Sequence, residues 1–137
     1  MAYYPGIIVF GRSEIRKNRA LMFITWTLTG VWAGVIFFFS SLPGSTVSTP
    51  IPDYIPHFIE YAVFAGLVLA ALWATKKELP AGRLGLWAII LTGLYAVTDE
   101  LHQAFIPGRT PDIRDWAVDV GAAVVVAAVV YVFRARR

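Results

Sequence analysis

Two histidines, His57 and His102, each lie within three residues of a carboxylate, and five further acids share their stretches of chain. Imidazole beside carboxylate is the pairing that moves a proton, so Glu100 and His102 form the candidate general acid–base pair. The same donor types hold a divalent cation able to polarise a phosphate. No cofactor is required by the sequence, and a metal stays an open alternative. Arg109 and Arg114 present guanidinium groups that match a phosphate or carboxylate through two parallel hydrogen bonds. Arg109 is the candidate for the anionic group. The remaining candidate binding residues are His57, Glu60, Asp99, Gln103, Asp115 and Asp119. The chain has no cysteine, which removes thiolate chemistry and disulfides. It also has no H-E-x-x-H, G-x-S-x-G or phosphate-loop pattern, so spacing alone selects no reaction.

Helical spacing gathers these groups on common faces, because residues three, four or seven apart point the same way. That rule joins His57 to Glu60 and Tyr61, Asp112 to Asp115 and Asp119, and Asp99 to His102 and Gln103. Glu100 stands apart from Asp99 and pairs with Gln103. Asp115 and Asp119, four apart, repel each other. Arg109, Arg114, a cation or a proton has to relieve that repulsion. Asp53 and Asp112 also suit helix N-caps. A plain alternative is a satisfied polar network that fastens short helices together.

The elements that carry these residues are strongly apolar. Hydrophobic residues make up 58% of the 137 positions and charged ones 15%, with mean hydropathy +0.64. Soluble domains run near half apolar and a quarter charged, so lipid is the implied solvent. Four stretches are long enough to cross a roughly 30 Å hydrocarbon core: 20–39, 56–75, 84–105 and 113–133. The first is too long for a signal-peptide core and is read as a retained span. Its Gly30 and Gly34 form a GxxxG pair suited to close helix packing. Pro56 fits a first helical turn. The short linkers 76–82 and 106–112 fit hairpins between antiparallel neighbours. The expected fold is all-α, a four-helix transmembrane bundle over 20–133, with an N-terminal segment 1–19 and a basic tail 134–137.

Charge sorting orients the bundle. With four alternating crossings, ten of the twelve Lys and Arg residues fall on one side, and only Arg109 and Arg114 lie opposite. Lys and Arg are held in the cytoplasm, so both termini are expected there, in a plasma membrane. Seven of the nine acids, all but Glu14 and Glu78, belong to the outer half. The basic residues flank apolar spans without a patch of interleaved exposed aromatics, which argues against nucleic acid as a partner. Most Trp and Tyr residues sit at expected interfaces, with Trp32 nearer mid-span and assigned to helix packing. Residues 3–10 are too short to span and suit the membrane surface.

The outer loops echo each other. Leu42-Pro43-Gly44-Ser45-Thr46 is similar to Ile106-Pro107-Gly108-Arg109-Thr110. Pro52-Asp53 and Pro111-Asp112 follow them, with Glu60 and Asp119 each seven residues beyond the Asp. A duplicated helical hairpin would produce this pattern, as would loop composition alone.

Longer motifs carry a family resemblance. Phe39-Ser40-Ser41 closes the first span, and Asp53-x3-His57-Phe58-x-Glu60-Tyr61 opens the second. Thr98-Asp99-Glu100-x-His102-Gln103-x-Phe105-x-Pro107-Gly108-Arg109 closes the third, and Asp112-x2-Asp115-x3-Asp119-x-Gly121 opens the fourth. With these the chain resembles the VanZ-like family of small bacterial membrane proteins. The resemblance implies a multi-span protein and a connection to resistance against the glycopeptide teicoplanin, a drug that binds cell-wall precursors outside the membrane. It implies no established reaction. Tyr54 stands where the family pattern often has Lys, and Pro56 before His57 departs from it as well.

The leading functional expectation is an outward polar pocket that binds, and in one version modifies, a lipid-linked anionic envelope component such as a cell-wall precursor. Membrane lipids are the general partners. The alternatives are a proton-coupled transporter or flippase, which with four spans needs a homodimer, and a non-catalytic accessory protein of envelope machinery.

Overall fold

The structure is a computed structural model that describes residues 12–46 and 51–136. It is all-helical, with α1 (Arg12–Ser40), α2 (Tyr54–Thr75), α3 (Ala81–Gln103) and α4 (Ile113–Ala135). Each helix is long and apolar enough to cross a membrane. The expected surface segment 3–10 lies outside the described residues.

Helix ends differ from the apolar runs for local reasons. α1 begins eight residues before its uncharged stretch, because Arg and Lys are good helix formers and continue the helix past the lipid-facing part. At 29 residues it is about 44 Å long, more than the hydrocarbon core requires. α2 starts two residues before Pro56, which still leaves the proline in the first turn, where its missing N–H costs no hydrogen bond. α3 follows Pro80 and admits Arg83 to its first turn. Asp112 caps α4, its side chain accepting from the Arg114 amide at 2.8 Å. Asp53, by contrast, has helical backbone angles and makes no side-chain cap bond.

Short connections set neighbouring helices antiparallel. Trp26 of α1 donates to Thr75 Oγ1 at the far end of α2 (2.9 Å), and Trp32 Nε1 donates to the Glu60 carbonyl (3.0 Å). Trp32 therefore packs between helices, as its mid-span position implies. α2 is the hub and touches all three other helices, whereas α1 packs chiefly on α2, meets α3 only slightly, and does not reach α4. Ile36, Tyr61, Phe64, Val68, Leu84, Ala88, Ala96 and Ala122 form the shared core. Large apolar side chains such as Phe23, Leu94, Leu101 and Phe133 face outward, a surface suited to lipid rather than water.

The close-packing glycines are not those of the GxxxG pair. A Cβ on Gly30 or Gly34 would meet nothing within 4 Å, whereas one on Gly85 would lie 3.3 Å from Ala127 and one on Gly93 3.3 Å from Val120. Close approach therefore serves the α3–α4 contact. Chance small-residue spacing in an apolar helix explains Gly30 and Gly34 within a single chain.

The two similar outer loops touch. The Gly44 amide donates to the Pro107 carbonyl at 3.2 Å. A Cβ on Gly44 would fall 2.0 Å from the Gly108 carbonyl oxygen, so only glycine fits. Gly108 itself has φ +76°, a left-handed conformation that favours glycine. This contact ties the α1–α2 hairpin to the α3–α4 hairpin at one end of the bundle.

Candidate functional site

The tied end of the bundle gathers the C-termini of α1 and α3 and the N-termini of α2 and α4. At its centre is His57, in the first turn of α2. Its Nδ1 lies 3.2 Å from Asp119 Oδ1, and its Nε2 lies 3.9 Å from Asp115 Oδ2. Asp115 and Asp119 share a helical face as their spacing requires, and an imidazole placed between them relieves their repulsion. Among the described residues no ion pair joins either acid to Arg109 or Arg114. The expected arginine partner is replaced by a histidine 62 residues away in the chain.

The acids of α3 divide by direction. Asp99 Oδ2 accepts from Gln103 Nε2 at 3.3 Å, one turn away. Gln103 thus pairs with Asp99 and not with Glu100. Glu100 Oε2 accepts the Asp112 amide at 2.8 Å and so holds the start of α4 against the end of α3. His102 turns elsewhere. Its Nε2 lies 2.9 Å from Ser41 Oγ, and its ring stacks on Phe37 with centroids 4.3 Å apart. Ser41 gives its own proton to the Phe37 carbonyl (2.6 Å), so the imidazole nitrogen is the donor in that contact. Glu100 and His102, only two residues apart, emerge on different faces of α3 and have separate partners. The structure therefore does not bring the expected acid–base pair together; His57 with Asp119 is the histidine–carboxylate pair in direct contact.

Arg109 donates from Nε to the Leu42 carbonyl (3.2 Å) and from Nη2 to the Phe39 carbonyl (3.1 Å). These carbonyls lie at the end of α1, where the helix dipole favours a cation. Arg109 also lines a cavity of about 100 Å³ with His57, Glu60, Asp99 and Gln103. Ser40, Asp53, Pro56, Ile36 and Phe39 complete its walls. Five of the nine candidate residues thus share one cavity. Asp115, Asp119 and Glu100 gather at His57 without lining that cavity, and His102 belongs to neither group.

Ser40, Ser41 and Asp53 are site neighbours that residue chemistry alone did not select. The Phe39-Ser40-Ser41 motif marks the first two, and the position of Asp53 before α2 suits a cap. Ser40 is buried, and among the described residues its Oγ, Glu100 Oε1 and Asp119 Oδ2 have no hydrogen-bond partner. A buried polar atom left unpaired costs about 1–3 kcal/mol.

A model of the VanZ/LLP1 family matches residues 23–134. The chain belongs to the VanZ/LLP1 family. No curated protein and no solved structure gives a match. Within this VanZ/LLP1 chain the matched stretch contains α2 and α3 whole, α1 from residue 23 onward and α4 up to residue 134, together with every candidate residue. It is a multi-pass membrane protein whose polar residues converge at one end. The arrangement puts Arg109 in the same cavity lining as Asp53, Glu60 and Asp99, and brings His57 within proton-transfer distance of Asp119.

Proposed function

We propose that the cavity opens on the extracytoplasmic face and binds the anionic headgroup of a lipid-linked cell-envelope component. The observation that carries this reading is the grouping of His57, Glu60, Asp99, Gln103 and Arg109 around one cavity at the helix ends. Ten of the twelve Lys and Arg residues flank the opposite end, which supports the outward orientation. An apolar groove of about 370 Å³ runs between α3 and α4, lined by Val97, Leu101, Ala104, Ile113 and Trp116. Glu100 and Asp112 belong to the same groove, so a prenyl tail lying in it would reach, from the membrane side, the end of the bundle that holds the cavity. Binding of this kind supports a part in glycopeptide resistance, the trait associated with the family's named member, because such drugs act on envelope precursors.

The test uses the full chain in lipid nanodiscs with a polyprenyl phosphate as probe and the matching unphosphorylated polyprenol as control. Saturable binding of the phosphate alone is expected. Arg109→Lys, which keeps charge but loses the planar two-pronged donor, should weaken it about tenfold. Equal binding of the alcohol, or no saturable binding by folded protein, would overturn the reading.

A further inference from the structure

Beyond the cavity, His57 faces a second set of ligands. A ring nitrogen of His57 and one carboxylate oxygen each from Glu100 and Asp119 lie within 4.8 Å of one another. The three residues come from three helices, and none is a loop residue. Asp119 is completely buried and Glu100 is 8% exposed. Each keeps one oxygen without any partner, Oδ2 of Asp119 and Oε1 of Glu100. A structural network would spend those lone pairs on donors from neighbouring helices. Among the described residues no donor reaches them.

We infer that His57, Glu100 and Asp119 form a site for a divalent cation. One imidazole with two carboxylates is a donor set that suits zinc or manganese, and an incomplete protein shell leaves positions for water or another ligand. Ligand atoms about 2.0–2.2 Å from a tetrahedral ion stand roughly 3.4 Å apart, so binding would draw the three side chains inward. A second contact already orients one of them. Glu100 Oε2 is held by the Asp112 amide, which leaves Oε1 to the ion. Partners of this kind fix the direction of metal ligands. The cation would also satisfy the orphaned oxygens and offset the crowding of acids around His57.

The site shares His57 with the cavity, but a cation can be offered alone, so it is tested without a lipid ligand. Purified full-length chain is stripped with chelator and titrated with Zn²⁺, Mn²⁺ and Co²⁺, and bound metal is read by elemental analysis and by the visible absorption of Co²⁺. One ion per chain is expected, with Co²⁺ bands typical of mixed nitrogen and oxygen ligands. Glu100→Gln and Asp119→Asn should each weaken binding by more than the roughly 10–100-fold that outer partners alone cost. His102→Gln should leave it unchanged. Because Asp119→Asn can fail to fold, the wild-type titration stands as its own measurement. Absence of a stoichiometric ion in folded wild-type protein would overturn the inference. So would affinity unaltered in folded Glu100→Gln. A failed titration leaves the lipid reading intact, and failed lipid binding leaves the cation site intact.

Discussion

Replacing Gly44 by alanine tests the loop contact that holds the site together. The added Cβ would lie 2.0 Å from the Gly108 carbonyl oxygen and 2.7 Å from its carbon. Both are backbone atoms, so no side chain can swing away. Ordinary contact begins near 3.4 Å, and the loops must part by about 1.4 Å. The 3.2 Å bond from the Gly44 amide to the Pro107 carbonyl cannot survive that movement. Its loss costs about 0.5–1.5 kcal/mol, and the forced displacement another 1–3 kcal/mol or so. Gly44→Ala should therefore destabilise the protein by about 2–4 kcal/mol. Gly108→Ala makes an informative companion. Its Cβ would find 3.6 Å to the nearest atom, so it meets no clash and bears only the left-handed penalty of about 1–2 kcal/mol. Denaturant titration in detergent, followed by tryptophan fluorescence, gives both values. Wild-type stability for Gly44→Ala, or a larger loss for Gly108→Ala than for Gly44→Ala, would refute the close approach.

Other expectations concern individual groups. In chelator-containing buffer, Asp119→Ala should cost about 3–5 kcal/mol by leaving His57 without its buried partner. Asp119→Asn, which still offers an oxygen to His57, should cost less, and a cycle with His57→Gln should report coupling between the two positions. Because Glu100 and His102 have separate partners, their losses should add within roughly 0.5 kcal/mol, and strong coupling in a double-mutant cycle would restore them as a working pair. The chain's lack of cysteine allows a topology test on a clean background. A membrane-impermeant thiol reagent applied to intact cells should label cysteine at Thr110 and spare cysteine at Lys77, and the opposite pattern would reverse the proposed orientation.

Helix number and class were legible because apolar length is a one-dimensional property. The boundaries moved by a few residues where Arg12 to Arg19 or Arg83 continued a helix beyond its apolar run. Shared faces were also legible: Asp115 and Asp119 lie toward the same imidazole, as a separation of four requires. Pairing between helices was not. Nothing in the local spacing says that His57 lies opposite Asp119, or that His102 turns to Ser41, because those contacts depend on how the helices are rotated against one another. The same limit applied to Arg109. Its charge marked it as an anion receptor, while its geometry also gives it the terminal carbonyls of α1. The loop echo was visible as composition, but its meaning as a contact needed three dimensions.

The distance along the chain between His57 and Asp119 also bears on how the protein is made. α2 reaches the membrane while α4 is still unsynthesised, so His57 must enter before its acidic partner exists. The place of His57 in the first turn of α2 keeps it near the end of the span, away from the bilayer centre where polar groups cost most. Glu60 enters with it, on the same helix. The last helix therefore does more than add a fourth crossing: it brings the group that makes the second one comfortable in the bilayer. A chain without α4 leaves His57 without Asp119, the carboxylate that lies 3.2 Å from its Nδ1 in the finished bundle.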